Sequence, residues 1–141
     1  MPAPLEELVE EFVRAVVDSF EKLEILLTLS SSEHALSVDA IAAAAHIDER
    51  MVRDEANELV EAGVLTRTGE GGAASYTIDR GGAWAKHVDA LRALHEANRM
   101  KVITLMSDAA LRRLRDKADR IFADAFVIGT LRKKDPKKDG E

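Results

Sequence analysis

The sequence predicts a mainly α-helical protein with one small β-hairpin, arranged as a short helical unit and its hairpin between long flanking helices. Three observations predict it. Apolar residues make up 46 % of the 141 but aromatics only 4 %, so the core is built from Leu, Val, Ile and many alanines, a composition that favours helix. Apolar positions recur at spacings of three and four through both flanks, the period of one helix face. Between Ser37 and Ile78, two capped helical segments give way to a glycine and two β-prone runs.

The first helix is expected from Pro4 to about Leu29. Proline suits a first helical position, and Glu6 and Glu7 fall where the helix dipole favours carboxylates. Leu5, Leu8, Phe12, Val16, Phe20, Leu23 and Leu27 form one unbroken apolar stripe along it. Ser30 to His34 reads as a loop. Ser37 then caps a short helix, with Leu36 and Ile41 positioned as a hydrophobic staple across the cap. His46-Ile47 forms the turn, and Asp48 caps the next helix, Asp48 to Ala62, with Ile47 and Val52 as a second staple. Val52, Ala56, Leu59 and Val60 supply its inner face.

Gly63 stops that helix in the left-handed manner. Val64 to Thr68 and Ala74 to Ile78 flank Gly69-Glu70-Gly71-Gly72, which makes a hairpin. Gly81-Gly82 separates this unit from the C-terminal helices. A third helix is expected from Ala83 to Met106, with Trp84, Val88, Leu91, His95, Asn98, Val102 and Leu105 on a heptad seam. Ser107 caps a last helix whose apolar face is Leu111, Leu114, Ala118, Ile121, Phe122, Ala125 and Phe126. Arg112, Arg113, Arg115, Lys117 and Arg120 lie mostly on its other faces. Residues 132–141 are expected to be a disordered charged tail.

The chain has no cysteine, which excludes disulfides, thiolate metal sites and thiol nucleophiles. Its four histidines show no metal-binding spacing, and no serine sits in a nucleophile elbow. Neither an enzyme nor a cofactor is expected. The N-terminus has no secretory pattern and no apolar run reaches the ~20 residues of a membrane span, so a cytoplasmic protein without membrane contact is expected. Net charge is −6 and unevenly placed: residues 1–80 hold 6 basic and 17 acidic side chains, residues 81–141 hold 14 and 9. A polyanion is repelled by the first part and attracted by the second.

The succession of helix, capped helix, turn, capped helix, Glu61-Ala62-Gly63-Val64-Leu65 and glycine-rich hairpin resembles the winged helix-turn-helix of bacterial transcription regulators, broadly MarR-like. The likeness covers residues 20–80. It implies a homodimeric transcription-regulatory protein organised as an N-terminal long helix (1–30), a winged helix-turn-helix domain (31–80), a C-terminal helical dimerisation region (81–131) and the tail. On that resemblance, Arg50, Arg53 and Asn57 of the recognition helix face the major groove of double-stranded DNA, and Arg67 sits on the wing. Val88, Leu91, His95, Asn98, Val102 and Leu105 form the dimer seam.

Charge opposes part of this assignment. The segment Asp48–Ala62 carries six carboxylates against two arginines. A solvated acidic face, direct base readout and recognition of a basic protein partner by a non-DNA-binding adaptor are all open on the sequence. A sensor for an effector ligand is a further reading that no residue specifies.

Overall fold

The structure is a computed structural model that describes the backbone of residues 4–134 and side chains through residue 125. Its helices are α1 (Leu5–Ala15), α2 (Phe20–Ser30), α3 (Val38–Ala45), α4 (Glu49–Glu61), α5 (Ala85–Ala97) and α6 (Arg99–Lys134). Strands β1 (Leu36–Ser37), β2 (Leu65–Thr68) and β3 (Ser75–Ile78) form one antiparallel sheet in the order β1-β3-β2. The chain divides into two compact units, one ending at Ala109 and one beginning at Ala110.

The expected capped helices and hairpin are present in the first unit. Ser37 Oγ accepts from the Ala40 N–H at 3.2 Å to start α3. His46 ends it in the left-handed region, φ 59°, a conformation that histidine tolerates better than bulkier residues. Asp48 Oδ1 accepts from the Arg50 and Met51 N–H groups and starts α4. Gly63 follows α4 at φ +84°, as a left-handed stop requires. The hairpin pairs Leu65 with Ile78 and Thr68 with Ser75. Strand β1, paired Leu36 to Tyr76, was not foreseen: two residues carry no alternation to read.

The first helix is two helices. The chain leaves helical geometry at Val16, and the Val17 N–H reaches back to the Phe12 carbonyl at 3.0 Å. Ser19 Oγ then accepts the Lys22 N–H and opens α2. The stiff Val16-Val17 pair and the backbone-competing Asp18-Ser19 are the physical reason. The break rotates the buried face, so Phe20, in line with the expected stripe, is 52 % exposed while Ile25 and Leu26 are fully buried. The expected boundary at residue 30 also falls inside packed structure, because α2 packs against α3, α4 and β3.

A second correction concerns the helix after the hairpin. It stops at Asn98, not at Ser107, which lies inside α6. Asn98 Oδ1 accepts the Lys101 N–H at 3.1 Å, so this residue is a cap between α5 and α6 rather than a seam residue. Val88, Leu91 and Val102 are buried in the chain's own core, His95 and Leu105 are partly buried, and Asn98 is exposed. The continuous heptad seam expected at 88–105 is therefore interrupted, and its apolar members are already covered. Of the expected tail, residues 132–134 continue α6, and 135–141 lie outside the described residues.

Helix α1 packs on α5. Trp84 stacks on Phe12 with ring centroids 5.3 Å apart, and His87 meets the Trp84 ring edge-on at 4.7 Å. Trp84, which the sequence places on the seam, thus ties the start of α5 to α1.

The second unit is the outer stretch of α6. Its side chains Leu111, Leu114, Ile121 and Phe122 are between 56 % and 74 % exposed. Among the described residues no helix is long and apolar enough to cross a membrane.

Candidate nucleic-acid interface

Helix α4 is amphipathic, and its inner face fixes the orientation of everything else on it. Val52, Ala56 and Leu59 have no solvent exposure. At about 100° per residue, Arg50, Arg53 and Asn57 then fall along one outer flank, toward the hairpin. Glu55 and Glu58 fall on the opposite flank, toward α2.

On that opposite flank the carboxylates are held. The Lys22 ammonium, on α2 and almost completely buried, lies 2.7 Å from Asp18 and 3.2 Å from Glu55, and it also pairs with Glu58. Ser19 Oγ donates to Glu55 Oε1 at 2.9 Å. Burial pushes the Lys22 pKa down, but hydrogen bonds to Asp18, Glu58 and Glu55 outweigh it, and the net effect is a pKa above the ordinary lysine value. Oxygens of the three carboxylates lie within 4.8 Å of one another, a spacing that suits a cation, and the Lys22 ammonium sits among them.

The six carboxylates of the segment therefore divide. Asp48 is the helix cap, Glu55 and Glu58 are tied to Lys22, and Glu49, Asp54 and Glu61 are exposed. Arg50 is exposed and Arg53 partly so, and neither forms an ion pair among the described residues.

The hairpin is fastened to this flank through Asn57. Its Oδ1 accepts from Arg67 Nη1 at 3.0 Å and from Tyr76 Oη at 2.8 Å. Arg67 and Tyr76 are cross-strand partners, and Tyr76 is buried. Arg67 thus lies beside α4 and not at the hairpin tip, which Glu70 occupies next to Gly69. A Cβ on Gly69 (φ +82°) would meet the Ala73 carbonyl oxygen at 2.8 Å, so the tight turn needs glycine.

Of the residues singled out from sequence, Arg50, Arg53, Asn57 and Arg67 come together on one side of α4. The seam residues do not form a surface. Lys22 and Tyr76 were missed. An Asp18–Lys22 spacing of four was the available signal for the first, but its partners on α4 are 33 and 36 positions away.

No family model and no curated protein matches the chain. Solved structures do. MepR of Staphylococcus aureus, a transcription regulator of the multidrug efflux pump MepA, has a TM-score of 0.50 at 11 % identity, over 86 % of this chain and 90 % of that one. The fold is a winged helix-turn-helix. Reduced HlyU from Vibrio cholerae (TM-score 0.47, 17 % identity, 66 % and 88 % covered) and the transcriptional regulator Tm0710 from Thermotoga maritima (0.44, 16 %, 92 % and 87 %) are also similar. In this fold α3 and α4 are the helix-turn-helix, and β2 and β3 are the wing.

Proposed function

We propose that the chain is a winged-helix transcription regulator, a non-enzymatic cytoplasmic protein that binds double-stranded DNA as a homodimer through α4. The observation that supports direct DNA contact is the division of charge on that helix. Lys22 holds Glu55 and Glu58 on the flank toward α2, while Arg50 and Arg53 stand unpaired among the described residues on the flank beside the wing. Counterion release by such arginines supports binding that weakens with salt.

The second copy fits the exposed face of α6. Leu111, Leu114, Ala118, Ile121 and Ala125 repeat at three and four, the spacing of a coiled-coil seam. Lys117 and Asp124 flank that seam on one side, Arg115 and Phe122 on the other. In an antiparallel pair Lys117 faces Asp124 of the second copy and Arg115 faces its Phe122, an ion pair and a cation–π contact. A parallel pair sets Lys117 opposite Phe122, which keeps a cation–π contact but loses the ion pair with Asp124.

Binding to random duplex DNA, titrated with salt, tests the DNA assignment. Measurable affinity near 20 mM salt (where screening is weak) with a steep loss as salt rises is expected, and Arg53→Glu should weaken it. Absence of binding at that salt would dispose of the DNA assignment. The exposed Glu49, Asp54 and Glu61 favour the second reading in that event, an adaptor for a basic protein.

A further inference from the structure

We infer that Asn57 reads guanine and not adenine, because the wing has taken its only acceptor. This rests on the proposed DNA contact through α4. An asparagine amide reads adenine by pairing both its groups, the oxygen to the N6 amino group and the nitrogen to N7. Arginine can only donate. The Asn57 atom 3.0 Å from Arg67 Nη1 is therefore the oxygen, and the Tyr76 hydroxyl donates to the same atom at 2.8 Å. A carbonyl oxygen has two lone pairs, and both are engaged. What Asn57 offers a ligand is the two hydrogens of Nδ2.

Its neighbours extend that pattern. Arg50 and Arg53, on the same flank of α4, have donors alone. Guanine is the purine whose major-groove edge offers two acceptors, O6 and N7, while adenine places an N6 donor in the same position. Opposite Asn57 Nδ2, an adenine N6 amino group meets another donor. Asp54, four residues after Arg50 and exposed, is an acceptor between Arg50 and Asn57, and its carboxylate suits the N4 amino donor of cytosine. Three donors and one carboxylate match the edge of G·C pairs. The sequence alone suggests the opposite for Asn57, because an unpartnered asparagine on a recognition helix is an adenine reader.

The test is selection of bound duplexes from a random pool with the full chain, followed by affinities for guanine and adenine at the position that Asn57→Ala makes indifferent. Wild type should favour guanine there by about tenfold, within the discrimination of a well-placed base contact. Arg67→Met with Tyr76→Phe frees the Asn57 oxygen and should reduce that ratio toward one or reverse it. Arg67→Met alone, an exposed substitution, should shift it less in the same direction. Selection of adenine by the wild type, or a position that Asn57→Ala leaves unchanged, would overturn the inference while DNA binding stands. Failure to bind any duplex near 20 mM salt would instead remove the DNA assignment, and this inference with it.

Discussion

Two apolar stripes with the same three-and-four spacing behave in opposite ways in this protein. Val88 and Leu91 of α5 and Val102 of α6 are at most 2 % exposed, covered by the chain's own core. Leu111, Leu114, Ile121 and Phe122, further along α6, are more than half exposed. Periodicity states that a helix has an apolar face. It says nothing of what covers that face, because the covering element is supplied by chain distant in sequence or by another molecule. Here α1 lies against α5, whereas the four side chains on outer α6 are mostly open to solvent. The difference narrows the candidate dimer surface, expected across 81–131 with its seam in the first stripe, to the second stripe.

Substitutions in each stripe should separate these roles, with the largest effect inside. Leu91→Ala removes side-chain volume from a filled core and should lower unfolding free energy by roughly 2–5 kcal/mol, read by chemical denaturation. A loss below about 1 kcal/mol would mean that the inner stripe is not packed as described.

A smaller loss, about 2 kcal/mol, is expected for Lys22→Met, which keeps the aliphatic stem and deletes the charge that Asp18, Glu55 and Glu58 share. Breaking a buried pair removes more than this, but Asp18 and Glu58 are half-exposed or more and water compensates them in part. Because the folded Lys22 pKa is raised above its ordinary 10.5, its stabilisation is complete below that pH and fades only as pH rises through the folded value. The difference between wild type and Lys22→Met should therefore be constant from pH 7 to 9 and shrink above about 10.5. A difference already declining by pH 9 would contradict the assignment.

The smallest effect on folding belongs to the outer stripe. Leu114→Glu with Ile121→Glu should change unfolding free energy of the first unit by no more than about 0.5 kcal/mol, as surface substitutions do. Sedimentation should show the particle falling to a single chain, 15.5 kDa. A wild-type protein that already sediments as one chain would end the dimer proposal.

The sequence by itself determined the local parts. Caps at Ser37 and Asp48, the stop at Gly63 and the hairpin around Gly69 were legible because each depends on one residue's side chain or φ acting within a few positions. Helix ends at Val16 and Asn98 were not, since a stripe of apolar residues continues across a break without any change in spacing. The candidate site was legible as a group, with Arg50, Arg53, Asn57 and Arg67 on one side of α4, but its chemistry was not. That two of the six carboxylates, Glu55 and Glu58, are tied to an ammonium depended on a lysine more than thirty positions away, and which group of Asn57 is free depended on Arg67 and Tyr76 across the hairpin. Only the tertiary structure decided these points, because hydrogen bonds and ion pairs act over a few ångströms in space and chain separation carries no record of them.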